Sequence, residues 1–175
     1  MASRSNGNNG FNAEDAEKRE DAEGRGNNEK ETLDRLTREI ISAAIEVHKG
    51  LGPGLLESAY RACLGFELRS RGLKTEQEIS LPVTYRGFKV ECGYRLDLLV
   101  EGSIVVEIKA LETLLPVHGA QLLSYLPLSG CRVGLLMDFH VPVLKDGIRR
   151  IVNRYPDSAL SSRSASSAPS ALKSQ

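Results

Sequence analysis

No run of apolar residues in this 175-residue chain approaches the roughly 18 needed to cross a bilayer, so no membrane span is expected. The acidic, Asn- and Gly-rich start resembles neither a secretory signal nor a transit peptide. Cysteine is scarce. Cys63, Cys92 and Cys131 are odd in number, far apart and in no CxxC pair, which supports neither a disulfide framework nor a zinc knuckle. A reducing, cytoplasmic setting is therefore expected. A net charge is missing as well: Lys+Arg 23 balances Asp+Glu 23, so no basic excess advertises a nucleic-acid partner. Aromatic content of 5% leaves few stacking platforms for single strands. No internal repeat is evident.

A hydrophobic content of 41% is enough for one domain with a real core. Residues 1–31 are dominated by Asn, Gly, Glu and Arg, and carry too little apolar surface to offset the entropy of ordering, so they are expected to be a disordered acidic tail. The domain is expected over residues 32–155, with a slight basic balance that permits a polyanionic substrate without demanding one. Residues 156–175, rich in Ser and Ala and without periodicity, are expected to be a second disordered tail.

Leu33, Leu36, Ile40, Ala44 and Val47 recur at helical spacing up to Gly50, with His48 near the stripe as a packed or edge residue. Three glycines and a proline in Gly50 to Gly54 stop that helix; the loop lacks a Walker ending and follows a helix, so a phosphate cradle is not favoured. A second helix from about Leu55 closes on Gly72, with Glu57 and Tyr60 on one side. An acid in a first helical turn suits the helix dipole whether or not it has a function. Strands then follow over Lys74 to Ser80, Val83 to Tyr85 and Phe88 to Cys92, with Pro82 marking an edge or strand start. Val117 to Leu126 predicts a helix, with Gln121 and Tyr125 one turn apart and Pro127 and Gly130 ending it. Arg132 to Phe139 predicts a buried strand, and Gly147 to Arg154 a short basic helix.

The chemistry concentrates in YRLDLLVEGSIVVEIKA, residues 94–110. Glu101-Gly102-Ser103 predicts a hairpin loop, which sets Val100 opposite Ile104 and Asp97 opposite Glu107. Alternation then puts Asp97, Leu99, Val105, Glu107 and Lys109 on one face and Leu98, Val100, Ile104, Val106 and Ile108 on the other. Such charges are often only a solvated surface. Here both faces carry aliphatic residues, as in a strand pair covered on both sides, and opposed carboxylates repel unless a cation or a proton relieves them. A divalent metal would do so.

The motif Gly54-x-x-Glu57-x-x-Tyr60, together with GYRLDLLV, VEIKA, HGAQLLSYL and CRVGLLMDF in that order, resembles the GxxExxY protein family of the PD-(D/E)XK nuclease superfamily, from about Leu36 to Asn153. The resemblance implies an α/β fold with a restriction-endonuclease-like αβββαβ core, its mixed central sheet flanked by helices. It implies that Asp97 and Glu107 are the motif's acids, Lys109 its lysine and Glu57 an acid on the first core helix. Gln121 and Tyr125 resemble the Q-x-x-x-Y helix of RecB-like exonucleases. Leu96 stands where the motif spells Pro. The implied activity is hydrolysis of nucleic acid, DNA or RNA, with Mg²⁺ or Mn²⁺ held by Asp97, Glu107, the Ile108 carbonyl and Glu57. Gln121 would join Glu57, Asp97, Glu107 and Lys109 in catalysis, while Tyr60 and Tyr125 would touch substrate. A homodimer is compatible with these features. The alternative is a nucleic-acid-binding or protein-interaction module on the same fold, without turnover.

Overall fold

The computed structural model describes residues 13–153. Residues 1–12 of the tail expected over residues 1–31, and the whole tail expected over 156–175, lie outside the described residues. The segment predicted to lack order is helical from Ala13, because α1 spans Ala13–Leu51. Its start, AEDAEKREDAE, is poor in apolar residues but rich in strong helix formers, and elongating an existing helix is far cheaper than nucleating one. From Glu29 onward the described chain forms one compact unit. Among the described residues, no helix is long and apolar enough to cross a membrane.

Within that unit α2 spans Glu57–Ser70, β1 Thr75–Tyr85, β2 Phe88–Val100, β3 Ile104–Lys109, α3 Pro116–Ser129, β4 Val133–Asp138 and β5 Ile148–Val152. The five strands lie side by side in chain order. All neighbours are antiparallel except β3 and β4, which run parallel because α3 carries the chain back between them. This is a mixed sheet flanked by helices, as the resemblance implies.

Two apolar layers cover the sheet. On one side Leu98, Val100, Ile104, Val106 and Ile108 meet Leu36, Ile40 and Ala44 of α1 and Tyr60, Leu64 and Leu68 of α2. On the other, Val105, Leu136 and partly buried Leu99 meet Leu122, Tyr125 and Leu126 of α3. Strand β3 is therefore buried on both faces, which is why its sequence reads as an almost unbroken aliphatic run. His48 is a packed residue: its Nε2 donates to the Val141 carbonyl at 2.9 Å, and its ring sits 6.1 Å from that of Phe139.

Three elements differ from the sequence expectation. Strand β1 runs through Pro82 without a break, because it is the edge strand and its register shifts between Leu81 and Val83, where a missing N–H is tolerated. Helix α3 continues past Pro127 to a left-handed Gly130 cap at φ 73°, since a proline in the last turn removes only one hydrogen bond. The expected helix over Gly147 to Arg154 is instead a strand over Ile148–Val152: it pairs with β4, and Ile148 packs on the α1/α2 layer while Ile151 packs on the α3 layer, as alternate faces of a sheet require.

Gly134 sits between Val105 and Ile151 beneath α3, and a Cβ there would lie 2.9 Å from Leu122 Cγ and Cδ1. Leu122 is fully buried and cannot swing aside. Gly134→Val should therefore destabilise the domain by about 1–3 kcal/mol, read as a lower urea midpoint.

Candidate functional site

The carboxyl end of β3 carries the most unusual charges in the domain. Glu107 is 4% exposed, and its Oε1 accepts a 2.8 Å hydrogen bond from Lys109 Nζ, two residues on and on the same side of the strand. Glu107 Oε2 is buried with no hydrogen-bond partner. Burial pushes the Glu107 carboxyl above its ordinary range, and the nearby Asp97 and Glu57 charges push the same way, against the opposing pull of Lys109. Burial alone would lower the Lys109 pKa, but its bond to Glu107 and the charges of Glu107, Glu57 and Asp97 outweigh this and hold the ammonium above its usual value. Lys109 is thus a fixed cation.

Asp97 enters from β2, but not directly across from Glu107. The β2–β3 ladder follows the expected register at Val100–Ile104, Leu99–Val105 and Leu98–Val106, and there it ends. Beyond it the Asp97 side chain takes over: Oδ2 accepts the Ile108 N–H at 2.8 Å and Oδ1 receives Arg61 Nη1 at 3.0 Å. The expected alternation also breaks at Asp97. Leu96 and Ile79 pack with the α3 layer although Leu98 packs with the α1/α2 layer. The partner strand shows why: Gln77 pairs with Leu98 and Ile79 with Leu96, but Glu78 between them adopts φ 53° and leaves Asp97 outside the ladder. A carboxylate that a regular pleat would stack over its neighbour is thereby turned to the strand edge.

Glu57 comes from the first turn of α2, and its Oε1 accepts the Ala110 N–H at 3.2 Å, just past Lys109. Tyr60 does not reach the site surface. Its side chain is fully buried and stacked on Phe139 at 4.4 Å, and its hydroxyl donates to the Gly52 carbonyl at 2.7 Å and accepts the Leu55 N–H at 3.0 Å. A substrate-contact role is therefore replaced by a structural one. Gly54, at φ 102°, gives the loop a turn that an L side chain rarely adopts. The three named positions of the motif thus act together: Gly54 turns the chain, Tyr60 ties the loop down, and Glu57 is delivered to the end of β3.

On α3, the Gln121 side-chain amide donates to the Tyr125 hydroxyl, and the Tyr125 ring lies 5.9 Å from that of half-exposed Tyr94. Tyr125 belongs to the layer that holds Val105, so this pair lies on the side of the sheet away from α1 and α2. The structure thus gathers Glu57, Asp97, Glu107 and Lys109 into one electrostatic cluster, and ties Gln121 to Tyr125 on α3. It adds Arg61 and Glu78, joined at 3.3 Å. Arg61 lies one helical turn after Glu57, a spacing visible in the sequence; nothing local marks Glu78.

The donors suit a hard divalent cation: Asp97, Glu107 and Glu57 supply carboxylate oxygens, and Glu107 Oε2 is a buried acceptor still without a partner. Such an orphaned atom costs roughly 1–3 kcal/mol. Among the described residues, no three His, Cys, Asp or Glu side chains already form a group that could hold a metal. The chemistry fits, while Asp97 is committed to Arg61 and Ile108.

Because Glu107 binds its proton more tightly when folded than when unfolded, its ionisation works against folding. Its contribution is most favourable below the ordinary value of 4.5 and is lost as pH rises through that value to the raised one. Glu107→Gln should remove this dependence: the stability difference, wild type minus variant, should fall from acid pH toward neutrality in urea titrations.

A model of the PD-(D/E)XK nuclease superfamily matches residues 34–151, which include every member of this cluster. No curated protein and no solved structure matches the chain. With the match covering well over half of its length and the mixed sheet in place, the chain belongs to the PD-(D/E)XK nuclease superfamily.

Proposed function

We propose that this protein, a member of the GxxExxY branch of its superfamily, is a nuclease that hydrolyses phosphodiester bonds of nucleic acid with Mg²⁺ or Mn²⁺. One observation carries the reading: a buried carboxylate oxygen with no partner, Glu107 Oε2, stands beside a partly buried lysine at the end of a central strand. A purely structural ion pair would satisfy both oxygens, because an unmet buried acceptor only destabilises.

Asp97 and Glu107 would hold the cation, with Glu57 and the Ile108 carbonyl completing the protein's share of ligands. When bound, such a cation supplies positive charge to the scissile phosphate and acidity to a water molecule. Lys109 stays protonated, so it acts as an electrostatic and positioning group, not as the base. Its bond to Glu107 fixes where that charge points. Glu57, whose Oε1 accepts the Ala110 N–H, would take a proton in place of ligating the cation where its second oxygen faces the water. Gln121 and Tyr125, joined to each other, would meet the substrate as a unit, with Tyr94 beside them. The free thiols of Cys63 and Cys131 are in keeping with a reducing, cytoplasmic setting.

Wild type should cleave at least one member of a panel of single- and double-stranded DNA and RNA when Mg²⁺ or Mn²⁺ is supplied. Lys109→Ala should reduce cleavage by at least about 100-fold, with the far-UV circular dichroism spectrum unchanged. Mn²⁺ should also raise the melting temperature of wild type more than that of Asp97→Ala. Oligonucleotide binding that is equal in all three proteins, without cleavage anywhere in the panel, would instead identify a binding module without turnover.

A further inference from the structure

The Arg61 guanidinium bridges two carboxylates with its two terminal nitrogens, Asp97 Oδ1 at 3.0 Å and Glu78 Oε1 at 3.3 Å. The two ends differ. The Asp97 side chain is 18% exposed and lies inside the cluster, whereas that of Glu78 is 48% exposed and also meets Arg95 at 3.2 Å. Glu78 is held toward the bridge by a backbone φ of 53° in the interior of β1, a conformation that non-glycine residues rarely adopt, at the one step where the β1–β2 pairing skips the Asp97 position. The sequence thus places a strained acid beside Asp97, where its carboxylate can share the cation that neutralises Asp97.

We propose that Arg61 is a positioning residue that occupies Asp97 in competition with the divalent cation, and that Glu78 is the acceptor that takes the guanidinium when the cation binds. This rests on the metal-dependent reading above. Lys109 gives its hydrogen bond to Glu107, and it is Arg61 that meets Asp97 in a direct ion pair. A cation reaching Asp97 Oδ1 and the open Glu107 Oε2 would meet the guanidinium at close range, and two positive charges on one carboxylate repel. Arg61 then leaves Oδ1 while keeping Glu78, and Asp97 stays oriented by its second oxygen on the Ile108 N–H. The pair between Arg61 and Asp97 is partly shielded from water, so its loss has a measurable effect on affinity.

The test is Mn²⁺ binding to the full chain without nucleic acid, followed by the electron paramagnetic resonance signal of free Mn²⁺ and by titration calorimetry. Arg61→Met, which keeps the apolar stem, should bind Mn²⁺ about tenfold more tightly than wild type, the size of a modest coupling between two sites. Glu78→Gln, at a half-exposed position, should bind several-fold more weakly, because the guanidinium then has only Asp97 to hold. The double variant should match Arg61→Met, since Glu78 acts only through Arg61. Equal affinities in wild type, Arg61→Met and Glu78→Gln, with binding lost in Asp97→Ala, would overturn the role of Arg61 and leave the metal site standing. Absence of saturable Mn²⁺ binding even in Arg61→Met would overturn both.

Discussion

The hydrogen bond from the Ile108 amide to the Asp97 carboxylate is the contact on which the site depends. It forms where the β2–β3 ladder stops, and it replaces a backbone acceptor with a charged one. Buried amides require a partner, so the strands can separate at this point only because a side chain supplies it. The same bond sets the orientation of Asp97 and leaves its other oxygen to a cation, here Arg61. Without it, Asp97 and Glu107 would stand opposite each other in a closed hairpin, and their repulsion would weaken the pairing.

Three further constraints converge on the same few ångströms. The parallel pairing of β3 with β4 buries Glu107 between two helical layers, which raises the stakes of its charge and makes Lys109 its necessary partner. The loop between α1 and α2 is closed by the Tyr60 hydroxyl, and its geometry carries Glu57 to the Ala110 amide. The kink at Glu78 opens the β1 side of Asp97 and turns an acid toward Arg61. Four carboxylates, Glu57, Glu78, Asp97 and Glu107, and two cations, Arg61 and Lys109, are held together by four segments of chain. Elsewhere the elements are regular apart from the register shift at Pro82 in β1 and the proline in the last turn of α3.

Much of this was readable from residue patterns. The aliphatic face of β3, the Glu101-Gly102-Ser103 turn and the αβββαβ order follow from periods and turn residues that act over a few positions. Glu107 and Lys109 sharing a side follows from the pleat alone. Gly147 to Arg154 reads as a helix because Ile148 and Val152, four apart, fit one helical face, but the same even spacing fits one face of a strand; only β4 alongside decides. Tyr60 looked like a contact residue because it follows Glu57 by less than a turn, and its burial depends on Phe139, which arrives from the far end of the domain.

The sequence by itself determined the core of α1, α2, β3, α3 and β4, the turn that pairs β2 with β3, and the identity of the acids and the lysine, because these depend on side-chain alternation, glycine conformations and local helix spacing. The tertiary structure alone decided that Asp97 leaves the ladder, that Arg61 and Glu78 join it, and that Glu107 keeps one oxygen unmet. The physical reason is range. Asp97 and Arg61 are separated by 36 residues and Glu57 and Ala110 by 53, and a charge's surroundings are set by whatever packs over it, not by its neighbours in the chain.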